Sequence, residues 1–148
     1  MSIEPVAIPN TLRKLSHTAA AEKTIDTANE QIERFMLADE HFFSNFVTCD
    51  FHLVDLALTW IHQSHLLAGN RCCEFGSGFG VVTMLAALQG MDAVGIEIEP
   101  VLVEESRSVA KKLNIKTDFH AGSFVPHGMP GIEELSTEVE NVDTREDD

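Results

Sequence analysis

The sequence predicts an α/β protein built on a small parallel sheet. Between about residue 71 and residue 121, short apolar runs of strand length alternate with amphipathic segments of helix length. Strand, helix, strand, helix, strand with short connections is typical of a parallel sheet with right-handed crossovers. Three closely spaced glycines after the first apolar run indicate a tight turn into the first crossover helix.

Two additional helices are predicted to precede the sheet. Apolar residues recur at three- and four-residue steps over 24–43, which indicates an amphipathic helix. A second helix is predicted over 51–67, with Thr48 or Asp50 as its N-cap and Gly69 as its stop.

The predicted sheet contains about three strands, at 71–75, 93–98 and 116–121. A helix over 79–89 joins the first strand to the second. A helix over 100–113, opened by proline, joins the second strand to the third.

The chain divides into three segments by composition. Residues 1–23 contain prolines and small polar residues and are predicted to be loose, whereas 24–125 form the folded domain. Residues 126–148 lead into an acidic tail, in which eight acids stand against one base from Glu133 onward. Such a segment buries too little apolar surface to offset its chain entropy, so we expect it to be disordered.

The net charge and the cysteines limit the binding partners and the cellular location that we expect. A formal net charge of −14 disfavours non-specific binding to nucleic acid and to anionic membranes. The sequence has no apolar leader and no apolar run near the ~18 residues of a membrane span, which predicts a cytoplasmic protein. Cys49, Cys72 and Cys73 are odd in number and are interpreted as buried small hydrophobes rather than a disulfide framework.

The glycine loop is the predicted binding site. Gly76, Gly78 and Gly80 lie between the first strand and its helix, where the backbone can approach a ligand and helix amides attract an anion. The spacing is G-x-G-x-G, and Val81 stands where a dinucleotide fingerprint requires a third small residue. Glu74 would repel a pyrophosphate and would favour a ligand that carries an ammonium group.

Three further residues extend this site along the sheet edge. Glu97 ends the second strand and can accept hydrogen bonds from both ribose hydroxyls, which disfavours a 2′-phosphate. Ile98 can lie against a flat base. Ser123, after the third strand, is placed to make a polar contact with the edge of that base.

These motifs resemble those of the class I S-adenosylmethionine (SAM) dependent methyltransferases. The resemblance rests on residues 73–80, 95–100 and 121–124 and covers about half of the chain. It implies a partial Rossmann-like fold with strand order 3-2-1, SAM as the cofactor and methyl transfer as the reaction. The SAM-binding residues that it implies, together with Ser123 from the argument above, are Glu74, Gly76, Ser77, Gly78, Gly80, Glu97, Ile98 and Ser123.

The sequence departs from the family in two places. The family usually has Gly-Asp after the third strand, whereas this chain has Gly122 and Ser123, a weaker adenine contact. No further apolar run of strand length follows Phe124, so the domain looks cut before its fourth strand. In the family order 3-2-1-4 the strand at 71–75 then has an unpaired edge, which predicts self-association, a partner chain or marginal stability.

Other interpretations stay open. The chain is either a methyltransferase-type domain that needs a partner or the rest of its fold, or a non-catalytic or truncated binding module, with an NAD-binding half domain as a third reading. No general base and no methyl acceptor can be named. His62 and His65 are three residues apart on a predicted helix, but no supporting ligand accompanies them, so no metal is predicted.

Overall fold

A computed structural model describes residues 3–38, 47–126 and 128. Four α-helices and three strands are formed in this part of the chain, preceded by a single 3₁₀ turn at Leu12–Lys14. In chain order they are α1 (Ala19–Ala38), α2 (Phe51–Gln63), β1 (Arg71–Phe75), α3 (Val81–Leu88), β2 (Asp92–Glu97), α4 (Pro100–Lys112) and β3 (Asp118–Ala121).

The sheet is parallel and has the order β1-β2-β3, which confirms the predicted 3-2-1 arrangement. Cys73 pairs with Val94 in the middle of β1 and β2. Glu97, the last residue of β2, pairs with Ala121 at the end of β3. The carboxyl ends of all three strands therefore meet at one edge, which is where open α/β sheets bind their ligands.

The contacts that define the core place the helices on one face of the sheet. Ala93 of β2 belongs to a cluster with Ala86 of α3, and Phe119 of β3 packs with Val103 and Val109 of α4. Because successive side chains of a strand alternate in direction, every second residue points the other way. We call these outward positions the open face: Arg71, Cys73, Phe75, Asp92, Val94, Ile96, Asp118 and His120.

The N-terminal helix contributes to the same core. Ile25, Ala28 and Ile32 of α1 are buried against Phe79 and Leu85, which lie just before and within the first crossover helix. The three- and four-residue spacing of the α1 positions produces this stripe, as predicted from the sequence.

Order begins earlier than the sequence predicted. Helix α1 starts at Ala19 rather than at Thr24, because the Thr18 hydroxyl accepts a hydrogen bond of 3.1 Å from the amide of Ala21. His17 also binds Asp55 of α2 through Nδ1 at 2.7 Å. The prediction that 1–23 is loose is therefore wrong for its last residues. The predicted end of this helix, near Phe43, lies outside the described residues.

Other boundaries also differ from the predictions. Helix α3 begins at Val81 rather than at 79, and β2, the end of α3 and the end of α4 differ by one residue. Helix α2 ends at Gln63 instead of Leu67, with His65 in the left-handed region (φ 54°), which ends the helix before Gly69. Strand β3 begins at Asp118 rather than Lys116, since Asn114 also has a positive φ and the chain needs several residues to return to the sheet.

The interpretation of the cysteines as buried is also wrong. Cys49 and Cys73 are exposed and Cys72 is half-buried, and all three are free thiols. Cys73 is exposed because it lies on the open face, whereas its neighbour Cys72 points toward the helices.

The two edges of the sheet differ in the described residues. At β3, the guanidinium of Arg107 donates to the carbonyl of Phe119 at 2.6 Å and so covers part of that edge. Strand β1 hydrogen-bonds with β2 alone, so its other edge is unpaired, as the sequence predicted. The acidic tail that the sequence predicts lies beyond Gly128 and outside the described residues.

Candidate functional site

The glycine loop turns back across the end of β2. The amides of Gly76 and Ser77 both donate to the carbonyl of Ile96, at 2.9 and 3.0 Å. Gly76, Gly78 and Gly80 all have positive φ values, of 70°, 52° and 73°. The sequence therefore needs glycine here because three left-handed residues alternate within five positions.

The three glycines of the loop have different surroundings and different structural roles. A Cβ at Gly76 would meet nothing within 4 Å, so this position faces open space. A Cβ at Gly80 would lie 2.4 Å from the ring of Phe119, so this glycine lets the loop pack on β3. Gly78 is buried, and its amide donates to Oε2 of Glu97 at 2.7 Å. Of the three, Gly76 is placed for direct approach by a ligand.

Glu74 caps the first crossover helix. Its Oε2 accepts hydrogen bonds from the amide of Thr83 at 2.8 Å and from the hydroxyl of Thr83 at 2.6 Å. Thr83 is the third residue of α3, so the carboxylate sits at the positive end of the helix dipole. The helix end that would attract a phosphate in a strand-loop-helix unit therefore already has the protein's own carboxylate beside it.

Burial raises the pKa of Glu74 above its ordinary value, and the nearby charge of Glu97 adds to this rise, against the lowering effect of the bonds from Thr83. The two carboxylates are thus close enough to interact. A cation bound beside Glu74 would favour the ionised form of this carboxyl group.

Glu97 is almost fully buried and organises two loops. Its Oε2 accepts from the amide of Gly78, and its Oε1 accepts from the amide of Glu99 at 3.0 Å. Each carboxylate oxygen keeps a second lone pair for a further donor. Binding of a ribose by Glu97 stays a prediction.

The side chain of Ser77, a predicted SAM-binding residue, is directed into the protein. Its side chain is buried, its Oγ has no hydrogen-bond partner in the described structure, and it lies where a Cβ at Gly95 would come within 2.8 Å. The hydroxyl therefore faces the sheet under the loop rather than the open side. Any contact of Ser77 with a cofactor would come from its backbone.

Ile98 and Ser123 both lie at the carboxyl edge. Ile98 is 66% exposed, so its apolar side chain is accessible to a ligand. Ser123 is exposed and its Oγ accepts from the amide of Val125 at 3.1 Å. The amide of Gly122 donates to the carbonyl of Glu97 at 2.8 Å, which brings the end of β3 beside the end of β2.

The sequence reasoning missed an aromatic pair at this edge. The rings of Phe75 and Phe124 are stacked, with centroids 5.1 Å apart and planes 14° apart. They are 61% and 52% exposed. The alternation of β1 gave a signal for Phe75, since it must point opposite to Glu74, but nothing in the sequence placed Phe124 beside it.

The segment before α2 approaches the same site. Cys49 is exposed on one side, but partial burial of its thiol raises its pKa, and the charge of Glu74 raises the pKa further. Asp50 caps α2 by accepting from the amide of Leu53 at 3.0 Å, which confirms the predicted capping role.

A metal site and a membrane span are both absent from the ranges that the structure describes. No group of three or more His, Cys, Asp or Glu side chains in those ranges is arranged to hold a metal ion. Among the helices described, none is long and apolar enough to cross a membrane.

The fold and the loop define the class of fold. A parallel sheet in the order β1-β2-β3, a glycine loop after β1 and an acid at or near the end of each of the first two strands make this a Rossmann-like α/β domain, similar to those of the class I SAM-dependent methyltransferases. Sequence comparison finds relatives that are methyltransferases by name.

Those relatives are named ribosomal protein L11 methyltransferase. The protein from Hahella chejuensis (strain KCTC 2396) is 39% identical over 85 residues, which are 57% of this chain and 27% of that protein. The protein from Ralstonia nicotianae is 31% identical over 74 residues, 49% of this chain and 24% of that protein. The chain therefore spans about a quarter of the length of these relatives. No protein-family model matches the chain.

Two solved structures align with the chain over different lengths. The O-methyltransferase from Bacillus cereus, in complex with SAH, is 12% identical with a TM-score of 0.48 and covers 87% of this chain and 51% of its own. The RNA methyltransferase from Salinibacter ruber, in complex with S-adenosyl-L-homocysteine, is 29% identical with a TM-score of 0.44 and covers 52% of this chain and 50% of its own.

The sequence matches confirm the resemblance to the class I methyltransferases for this part of the chain. They leave the roles of the individual site residues as predictions.

Proposed function

We propose that this domain binds SAM at the carboxyl edge of its sheet. The observation that carries the proposal is the position of Glu74, whose carboxylate occupies the N-terminus of α3 and interacts with Glu97. Such a site repels a pyrophosphate and attracts the ammonium group of an amino-acid nucleoside.

The remaining parts of SAM fit the residues around these acids. Gly76 leaves open space for the methionine chain, and the exposed Ile98 offers an apolar surface to a flat base. Both hydrogen bonds from Thr83 fall on one oxygen of Glu74, which leaves Oε1 for a donor on the ligand. Ser123 is near enough to the β2 end to contribute a polar contact to the base.

Calorimetric titration with SAM and with NAD tests this proposal. We expect heat of binding with SAM and none with NAD. Glu74→Gln keeps an acceptor for Thr83 but removes the charge, so SAM affinity should fall about 10- to 150-fold, the equivalent of one charged hydrogen bond. Glu30→Gln, an equal charge change on the exposed side of α1, is the matched control and should bind as the wild type does.

Two results would overturn the proposal. One is binding of NAD in preference to SAM. The other is an equal loss of affinity in Glu74→Gln and Glu30→Gln, because the effect would then reflect net charge rather than the site.

We further propose methyl transfer as the reaction to which this domain contributes. The sulfonium of SAM leaves as a neutral thioether, so the protein has mainly to align the acceptor with the methyl carbon. Transfer of a labelled methyl group to ribosomal protein L11, the acceptor in the relatives' name, is the first assay. SAM binding without transfer to this or other protein acceptors would favour a non-catalytic module.

We also propose a partner for the unpaired edge of β1, either a second copy or another chain. Strand β1 pairs with β2 alone in the described residues, and an unpaired apolar edge favours association. Sedimentation equilibrium over a range of concentrations distinguishes a dimer from a monomer.

A cytoplasmic location is proposed as well. It is supported by the three thiols at Cys49, Cys72 and Cys73, which are all free, as expected in a reducing compartment. Fractionation of cells that express the chain, with detection in the cytoplasmic fraction, tests the location.

A further inference from the structure

Basic residues are concentrated where α4 ends and the chain turns toward β3. Residues 107–116 contain four of the ten lysines and arginines of the chain and no acid. We call these four exposed residues the basic patch: Arg107, Lys111, Lys112 and Lys116. Lys111 and Lys112 lie in the last turn of α4, where cations complement the helix dipole. Arg107 and Lys116 lie outside that turn, so the dipole does not account for the whole patch.

A cavity of about 370 Å³ lies at this patch, between α4 and the outer edge of β3. Arg107, Lys111 and Thr117 are among its lining residues. The guanidinium of Arg107 already binds Glu104 and the carbonyl of Phe119. None of the three lysines of the patch forms an ion pair with a residue that the structure describes. The patch therefore holds positive charge that these residues do not neutralise.

The other polar residues of the cavity leave this charge available. Asp118 and His120 also border the cavity, but their side chains belong to the open face. Phe119 between them points toward α4, and side chains of a strand alternate in direction, so the carboxylate of Asp118 is directed away from α4. Oγ1 of Thr117 is buried and has no hydrogen-bond partner among the described residues. The cavity wall thus also contains an unused hydroxyl donor.

The charge of the chain favours an occupant from the chain itself. The segment 133–148, which lies beyond the described residues, contains eight acids and one base. An acidic segment of another molecule would have to approach a chain with a net charge of −14, which repels it. A segment of the same chain needs no such approach, because its effective concentration at the patch is on the order of mM.

The connection between β3 and the acidic segment is long enough to reach the patch. Thr117 immediately precedes β3, so it lies about 13 Å from the end of the strand at Ala121. Residues 122–132 join β3 to the acidic segment and can span up to about 36 Å when extended. We propose that the acidic segment 133–148 docks on the basic patch of the same chain, with its carboxylates at the three lysines.

Zero-length crosslinking of the full chain tests this contact. A carbodiimide joins a carboxylate to an amine only where the two groups meet, and peptide mass spectrometry identifies the joined residues. We expect acids of 133–148 joined to Lys111, Lys112 or Lys116 at low salt. The yield should fall at least about tenfold at about 1 M salt, where the Debye length is about 3 Å. Lys23, which is exposed on α1, is the internal reference and should not be joined to this segment.

Variants measure the docking from the side of the acidic segment. A glutamate-specific protease should cleave after Glu138 slowly when the segment is docked, because cleavage requires its release. Lys111→Glu reverses one charge of the patch and should accelerate this cleavage about two- to fivefold, the equivalent of one exposed ion pair. Lys23→Glu makes the same charge change on α1 and is the matched control, which should be cleaved at the wild-type rate. Both lysines are exposed, so both variants are expected to fold.

Four results would overturn the proposal. Equal acceleration in Lys111→Glu and Lys23→Glu would mean that only net charge matters. Crosslinks to Lys23 as frequent as those to the patch would mean that the acidic segment has no preferred site. Absence of crosslinks to the patch would mean that the segment does not dock there. Crosslinks that join labelled to unlabelled chains in an isotope mixture would assign the patch to the acidic segment of a second copy.

This inference is independent of the proposal of SAM binding, because no residue of the patch belongs to the predicted SAM site. Lys111→Glu should therefore leave SAM affinity unchanged, so a failure of the docking proposal and a failure of the cofactor proposal can be told apart.

Discussion

Gly76 and Gly80 form a natural matched pair for substitution by alanine. Their φ values are 70° and 73°, so an alanine at either position is strained to the same extent. Their surroundings differ. A Cβ at Gly76 meets nothing within 4 Å, whereas a Cβ at Gly80 would lie 2.4 Å from Cε1 of Phe119 and 3.0 Å from Cβ of Ser106.

The expected losses of stability follow from these contacts. The left-handed conformation costs an alanine about 1–2 kcal/mol, which is the whole effect expected for Gly76→Ala. In Gly80→Ala the methyl group also overpacks the core, which adds about 1–3 kcal/mol. The ring of Phe119 has little room to move aside, because it is buried against Met84 and Val103. Gly80→Ala should therefore lower the free energy of unfolding by about 2–5 kcal/mol.

Urea unfolding of both variants measures these losses, provided that their m-values agree with that of the wild type. The contact is tested by a second substitution. Phe119→Leu removes the ring edge that the new methyl group would strike, so the double variant Gly80→Ala/Phe119→Leu should be more stable than the sum of the single losses predicts. We expect a coupling above about 0.5 kcal/mol.

Equal losses in the two alanine variants, or strict additivity in the double variant, would refute the reasoning, because the ring would then not limit the space at Gly80. For SAM affinity we expect Gly76→Ala to have the larger effect, the reverse of the order for stability. Gly76 faces the open side, so Gly76→Ala should reduce binding while it costs little stability, and unchanged binding would show that the ligand does not approach Gly76.

Three further predictions concern charged groups. Burial raises the folded-state pKa of Glu74. The stability that this group contributes is therefore present at acid pH and is lost as the pH rises through that pKa. The free energy of unfolding, measured from about pH 4 to about pH 8, should decline less in Glu74→Gln than in the wild type. His17→Ala leaves the buried carboxylate of Asp55 without its partner and should cost about 3–5 kcal/mol in urea unfolding, most of which returns when both residues are replaced by leucine. Arg107→Ala uncovers the carbonyl of Phe119 at the β3 edge and should increase concentration-dependent light scattering, whereas an unchanged signal would mean that Arg107 does not protect that edge.

The order of the elements could be predicted from the sequence because each one has a clear period or boundary. The strand at 71–75 was placed without error, since glycines follow it at once. The start of α4 at Pro100 was placed correctly for a similar reason, because proline favours the first turn of a helix. The start of α1 at Ala19 and the end of α2 at Gln63 were predicted wrongly. They depend on a threonine cap and on a histidine in the left-handed region, which have weak sequence signals.

The candidate site was predicted only in part. The approach of Glu74 and Glu97 follows from strand register, because parallel strands align their carboxyl ends. The separate roles of the glycines could not be predicted, since Gly80 is required by Phe119, a residue of a distant strand. The burial of Ser77 against Gly95 is likewise a tertiary contact that local spacing does not encode.

The chemistry of the site is decided by what occupies the N-terminus of α3. In a strand-loop-helix unit this point presents amides to an anionic ligand, and a nucleotide phosphate is the usual occupant. Here Glu74 accepts the amide and the hydroxyl of Thr83, so the helix dipole is already compensated from inside the protein. A phosphate at this helix end would lie beside the charge of a carboxylate that is held by two hydrogen bonds. A ligand with an ammonium group instead gains from the same carboxylate and lowers its raised pKa. In the proposed function, Glu74 near the end of β1 therefore selects the sign of the ligand, while the glycine loop provides the space.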